Sequence, residues 1–326
     1  MKPDAFMTDL TRKPEVLARL ALMLAEGNPW ARVVPADTER VVFIGMGSSN
    51  YAGAVAAARL RARGIIAVAE LASSALLPDW GPRTLVVATS ASGGSTETLD
   101  ALTRLPEGAA TVALTNTPGS PLTERCDAVV TLEADVEHGG VACRSYQHTL
   151  AVLLALECHL LGTDTTALAA TIDSAAAAST YLLDSESSWL PEVSELLLGP
   201  SGTHLAAPVH RLCSAQQGAL MVREGPRLPG AACETGDWSH VDVYLTKTTD
   251  YRLLVFAGSP WEAQLAEWTT ARGSTVVGVG GDVPGARYVL RYPGDSDDDV
   301  ALLTEVLVPE MVAGRRWQQI TQETVG

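Results

Sequence analysis

The stretch that most constrains this chain runs from Leu85 to Leu99. An unbroken apolar run, Leu85-Val86-Val87-Ala88-Thr89, stops at Ser90-Ala91-Ser92-Gly93-Gly94-Ser95-Thr96, four hydroxyls and two glycines, before Glu97-Thr98-Leu99. A short apolar run ended in this way reads as a buried strand whose tight loop opens a helix. Such a junction makes an anion site. The first backbone N–H groups of the helix lack internal partners, the helix dipole is positive there, and the glycines let the main chain approach a ligand closely. Ser90, Ser92, Ser95 and Thr96 add hydroxyl donors. No Lys or Arg lies in the loop, so a phosphate would be held by hydrogen bonds and dipole. The loop matches neither the nucleotide P-loop nor the Gly-x-Gly-x-x-Gly dinucleotide pattern, and one small phosphate ester fits it better than a triphosphate. Taken alone, the loop is equally compatible with an ordinary strand-to-helix turn with Ser95 as N-cap.

The same unit recurs. Arg40-Val41-Val42-Phe43-Ile44-Gly45 is a second apolar strand, followed by Met46-Gly47-Ser48-Ser49-Asn50-Tyr51 and an alanine-rich helix through Ala62. Further strands are expected at 65–71, 110–115 and 128–132, and long helices at 141–161 and 165–189. Strands alternating with helices argue for a parallel α/β sheet, whose loops gather at the carboxyl ends of its strands. A partial repeat follows, with a strand and glycine loop expected at 195–202, a helix at 209–223, strands at 252–258 and 274–279, and a last helix at 300–321. The expected organisation is a helical segment at 1–34, a first α/β domain at 35–163, a helical connector at 164–188 and a second α/β domain at 189–326. Gly258-Ser259-Pro260-Trp261 holds one serine, so one phosphate site per chain is expected.

With 326 residues, 47% of them hydrophobic, the chain can bury two ordinary cores. Its formal net charge of -15 makes nucleic acid and anionic membranes poor partners. Five widely spaced cysteines without a C-x-x-C pattern read as reduced thiols of a cytoplasmic protein. The polar stretch 1–9 is not expected to be a signal peptide, and no apolar run reaches membrane-spanning length. The six histidines lack tight ligand spacing, so no metal and no other cofactor is expected.

Gly47-Ser48-Ser49, Ser90-Ala91-Ser92-Gly93, Asn116-Thr117-Pro118-Gly119-Ser120 and Gly140-Val141-Ala142 occur in an order that resembles the sugar isomerase (SIS) family. The resemblance is to its double-SIS members, the isomerase half of glucosamine-6-phosphate synthase and the fructosamine-6-phosphate deglycases. It implies two three-layer α/β/α sandwiches with parallel five-stranded sheets. It further implies that Ser49, Ser90, Ser92 and Ser95 hold a sugar 6-phosphate, with Gly47, Ser48 and Val141 contacting the substrate. In the second half, Gly218-Ala219-Leu220-Met221-Val222-Arg223-Glu224 resembles the family's Gly-Ala-Leu-Lys-Leu-Lys-Glu, and Gly236-Asp237-Trp238-Ser239-His240 its Gly-Glu-Leu-Lys-His. By that resemblance Glu224 is the base that moves a proton between C1 and C2, and His240 opens the sugar ring. The family draws this His from the neighbouring subunit, implying a homodimer with sites at the subunit interface. Those residue types suit such chemistry, because a carboxylate raised by burial can abstract a proton next to a carbonyl, and an imidazole both gives and takes protons near neutrality.

The departures set the expected subtype. Ala91 stands where members often have Gln, Met221 replaces a lysine, and the end of the chain carries no counterpart of the synthases' Schiff-base lysine. No cysteine glutaminase domain is present in the sequence, so ammonia is not expected to be made by this chain. A substrate that already carries nitrogen, an amino-sugar or fructosamine 6-phosphate, suits what remains. An aldose-ketose phosphate isomerase and a non-catalytic phosphosugar sensor are the alternatives.

Overall fold

The structure is a computed structural model that describes residues 1–325. The chain forms two compact units that are not contiguous in sequence. The first comprises Val16–Val136 and Arg144–Asp173; the second comprises Met1–Glu15, Glu137–Cys143 and the chain from Ser174 onward. The division therefore differs from the expected boundaries at both termini of the first half. Residues 1–15 are part of the second unit, and the long helix expected as a connector is divided at Asp173.

The helical segment expected at 1–34 holds two helices, α1 (Pro3–Thr11) and α2 (Lys13–Glu26). Then follow β1 (Arg40–Gly45), α3 (Ser48–Ala62), β2 (Ile66–Leu71), β3 (Thr84–Thr89), α4 (Thr96–Leu102), β4 (Ala110–Thr115), β5 (Ala128–Thr131) and α5 (Arg144–Leu160). These five strands form one all-parallel sheet in the order β2-β1-β3-β4-β5. Alternation along the central strands gives each face its own core. Val42, Ile44, Val86 and Ala88 pack with Ala101 of α4, while α3 and α5 pack together, with α3 covering β1 and β2. Because β1 leads to β2 on one side and β3 leads to β4 on the other, the sheet's topological switch point lies between β1 and β3.

The remaining elements are α6 (Thr166–Asp184), α7 (Glu186–Leu197), β6 (Thr203–Ala207), α8 (Leu212–Glu224), β7 (Gly230–Glu234), β8 (Arg252–Phe256), α9 (Glu262–Ala271), β9 (Thr275–Val279), β10 (Tyr288–Leu290), α10 (Asp298–Thr304) and α11 (Leu307–Val325). The second sheet is also parallel, in the order β10-β9-β8-β6-β7. Strand for strand this is the first topology again, with β6 in the place of β1 and β8 in the place of β3. The strand expected at 195–198 is instead the end of α7: its leucines bury one helical face, and the true strand begins after the turn at Gly202. Two 3-10 turns, Asp237–Ser239 and Asp242–Lys247, follow β7. No helix among the described residues is long and apolar enough to cross a membrane.

Candidate functional site

At the first switch point three chain segments converge. A Cβ added to Gly45 would lie 2.8 Å from Ser49 Cβ and 3.2 Å from the Thr89 carbonyl oxygen. The end of β1, the first turn of α3 and the end of β3 are thus in contact through a position only glycine fits. α3 has Gly47 as N-cap and no side-chain cap; Ser49 N donates to the Met46 carbonyl at 3.1 Å, which leaves the Ser48 and Asn50 amides of the first turn for water or a ligand. The hydroxyls of Ser49 and of the buried Ser90 hold no hydrogen bond among the described residues. Ser92 Oγ accepts from Gly94 N at 3.3 Å and retains its proton for donation.

Ser95 differs from these three serines. It is the N-cap of α4, accepting from Thr98 N at 3.3 Å and donating to Glu97 Oε2 at 3.0 Å. Its hydroxyl is therefore committed to the cap, as the ordinary-turn reading of the loop requires. Gly93 sits at φ +64°, and a Cβ there would fall 1.9 Å from Ser120 Oγ. The loop is braced by the turn after β4: Asn116 N, Thr115 Oγ1 and Thr117 Oγ1 all donate to the Ala91 carbonyl at 3.1–3.2 Å. Asn116 in turn donates to the Asp135 carbonyl and accepts from Ala134 N. The roles of Thr115 and Thr117 were missed in the sequence, where a Thr beside a turn gives no signal that its hydroxyl reaches a neighbouring loop.

In the second unit the corresponding loop is closed upon itself. Glu262 Oε1 accepts from Gly258 N at 2.6 Å and Ser259 N at 2.8 Å. The buried Arg211, following β6, donates to Glu305 and to the Ala257 carbonyl. Burial pushes the Glu305 carboxyl up to about 7 against the pull of that guanidinium. The chain's own carboxylate thus occupies the amides that a phosphate would need.

Glu224 is the last residue of α8, half-buried, and its carboxylate makes no hydrogen bond or salt bridge among the described residues. Burial raises its pKa above the ordinary value of 4.5, opposed by the Arg223 charge. His240 is exposed and follows the first 3-10 turn, its backbone N–H donating to the Asp237 carbonyl at 2.8 Å. Since α8 runs back from the carboxyl end of β6 and β7 runs forward again, Glu224 and His240 lie at opposite ends of the second sheet. The five residues of β7 alone span roughly 13 Å. Val141 is buried in the Glu137–Cys143 segment of the second unit. There Asp9 accepts from His138 N and Gly139 N, and Gln217 on α8 donates to the Ala142 carbonyl.

Elsewhere in the second unit a cavity of about 840 Å³ lies along α7 and α11. Its three arginines are already engaged, Arg252 with carbonyls at the end of α7, Arg315 with Glu186 and Arg316 with Glu323.

Comparison with known proteins matches residues 36–157 to the SIS domain model. Residues 36–157 are a SIS domain. Over 311 residues the chain is 26% identical to a glutamine–fructose-6-phosphate aminotransferase (isomerizing) of Aeropyrum pernix, covering 89% of this chain and 50% of that protein. The chain spans about half the length, or less, of the curated relatives it matches. Among solved structures, the C-terminal domain of glucosamine-fructose-6-phosphate aminotransferase from Francisella tularensis superposes with a TM-score of 0.84 at 17% identity, covering 98% of this chain and 96% of that one. A glucosamine-6-phosphate deaminase from Thermotoga maritima gives 0.73 at 19% identity, covering 97% and 95%. The SIS fold therefore extends over both sheets. Within the SIS domain, Gly47, Ser48, Ser49, Ser90 and Ser92 gather at one switch point, with Ser95 at its edge.

Proposed function

We propose that this SIS-domain chain is an enzyme acting on an amino-sugar or fructosamine 6-phosphate by base-catalysed proton transfer between C1 and C2. The observation that carries the reading is Glu224, a half-buried carboxylate raised by desolvation and held by no partner among the described residues. A group in that condition is poised to accept a proton, whereas a structural carboxylate is tied to a donor. The loop chemistry supplies the other end of the substrate: Ser49, Ser90 and Ser92 donate to the 6-phosphate, aided by the uncapped start of α3. Gly47, Ser48 and Val141 line the sugar in this reading.

For a ketoamine, Glu224 takes a proton from C1, the electron pair forms the C1–C2 double bond, and the C2 carbonyl opens as its oxygen takes up a proton, giving an enaminol. A proton then returns to C2 while nitrogen loses one and forms a double bond to C1, giving the imine, the open form of the aldosylamine; water adds to C1 and the C1–N bond breaks, releasing sugar phosphate and amine. His240 acts earlier, exchanging protons with the ring oxygen and anomeric hydroxyl as the ring opens. Because Glu224 and His240 lie at opposite ends of one sheet, the reading takes each site to combine Glu224 of one copy with His240 of another, in a homodimer.

Proton NMR in D2O tests this with fructosamine 6-phosphates, glucosamine 6-phosphate, fructose 6-phosphate and glucose 6-phosphate. Deuterium entering C1 or C2, with free amine from the amino compounds, is the expected result. Exchange confined to the two sugar phosphates without nitrogen would instead make the chain an aldose-ketose isomerase. Phosphosugar line broadening without exchange would make it a sensor. Glu224→Gln is expected to abolish exchange while leaving phosphosugar binding intact; unchanged exchange would remove the base.

A further inference from the structure

The segment that carries His240 is anchored by a buried polar network. Tyr251, just before β8, is 2% exposed, and Trp238 is fully buried. Trp238 Nε1 donates to the Tyr251 hydroxyl at 2.8 Å, and that hydroxyl donates to Asp242 Oδ2 at 3.0 Å. His204 of β6 stacks on the Tyr251 ring with centroids 4.2 Å apart, adding a ring contact that holds it. Trp238 and Asp242 stand two residues before and two residues after His240. One buried hydroxyl thus closes a loop of backbone whose midpoint is His240.

The flanks of this loop are held as well. Glu234 Oε2 accepts from Gly236 N and Asp237 N at 2.7 and 2.9 Å, and Arg272 donates to the Val243 carbonyl and Thr246 Oγ1 at 2.7 Å each. These bonds satisfy buried polar groups and, in doing so, hold the backbone on both sides of the exposed His240. Hydrophobic contact alone would bury both rings, since a Phe fills nearly the same volume as Tyr251; the hydroxyl adds the link that satisfies the buried Trp238 N–H and joins it to Asp242.

We propose that Tyr251 is a positioning residue for His240, its hydroxyl tying residues 238 and 242 together so that the imidazole is presented in one place. This rests on the reading of His240 as the group that opens the sugar ring. Preorganisation of this kind matters because a displacement of about 1 Å at a proton-transfer group costs on the order of 100-fold in rate.

The test compares sugars that must open with sugars that cannot close. Solvent-deuterium exchange is measured for fructose 6-phosphate and fructosamine 6-phosphate, and for their 5-deoxy analogues, which lack the ring-forming hydroxyl. Tyr251→Phe is expected to lower kcat on the ring-forming sugars by about 10- to 100-fold with KM little changed, and to leave the 5-deoxy analogues at the wild-type rate. His240→Gln should show the same selectivity, more strongly. Asp242→Ala should match Tyr251→Phe, and Asp242→Asn, which keeps an acceptor, should restore most of the rate; this pair decides the matter if Tyr251→Phe does not fold. Equal loss on both kinds of sugar, or no loss while His240→Gln remains selective, overturns the positioning role alone. A His240→Gln variant without selectivity, or no exchange on any of these sugars, removes the ring-opening reading and this role with it.

Discussion

At the scale of single residues, the candidate site depends on what a few positions lack. Gly93 has no Cβ because its φ of +64° and the Ser120 hydroxyl leave no room for one. Gly93→Ala is expected to cost at least about 1–2 kcal/mol from the left-handed backbone, and to weaken phosphosugar binding, because relief of the overlap shifts the loop. Thermal denaturation and a phosphorus NMR titration with glucose 6-phosphate measure the two effects. Glu224 lacks a partner among the described residues, and the consequence is a pH dependence. A base works only when ionised, and burial favours its protonated form, so exchange should fail on the acid side at a pH above the ordinary glutamate value of 4.5. Arg223 opposes that rise. Arg223→Gln should therefore move the acid limb further toward neutrality, and a pH–rate profile that moved the other way would contradict the assignment. The serines were legible in the sequence because hydroxyls and glycines at the end of an apolar run carry their own chemistry. The commitment of Ser95 to its cap was legible only as an alternative, since cap and phosphate ligand call for the same residue type at the same position.

Secondary elements were read best where a period was unambiguous. The five strands of the first sheet stand within a residue or so of their expected places because each is a short apolar run cut off by turn residues. β7, Gly-Ala-Ala-Cys-Glu, was not expected at all: small residues carry little strand signal, and only pairing with β6 makes a strand of them. The leucines at 196–198 misled for the opposite reason, since a short apolar run fits either a strand or a helix end. Nor could any local pattern show that α1 packs on α11, or that Lys13, two residues beyond the end of α1, forms a fully buried ion pair with Glu310 of α11, Nζ to Oε2 at 2.5 Å. Burial pushes the Glu310 carboxyl up to about 7 despite the lysine. Removing either partner alone strands a charge, so Lys13→Met or Glu310→Leu is expected to destabilise the second unit by about 3–5 kcal/mol. The double substitution should recover most of that loss, because desolvation of the pair offsets much of its attraction. Urea unfolding of the three variants provides the comparison, and a double variant no more stable than the single ones would show that the pair contributes more than its desolvation costs.

For the whole molecule, the repeat of one topology raises the question of why its two copies differ. The first sheet leaves hydroxyls and uncapped amides at its switch point, whereas the second fills the equivalent place with Glu262 and Arg211. In the proposed reading the second copy, released from anion binding, contributes Glu224 and His240 instead, from opposite ends of its sheet. If each site takes these two residues from different copies, variants lacking one or the other are individually inactive for different reasons. Mixed after dissociation and reassociation, Glu224→Gln and His240→Gln chains should form heterodimers in which one site carries both substitutions and the other carries neither. Random pairing makes half the dimers mixed, each with one intact site of two, so activity should return to about a quarter of wild type. That recovery requires the ring-opening step to need His240 absolutely; measured on a ring-forming sugar, it should rise from the background of either variant alone. Recovery on mixing, against none when each variant is reassociated with itself, assigns the two residues to different chains of one site, while a mixture no more active than its parts would place both in the same chain and require a rearrangement of the second unit to unite them.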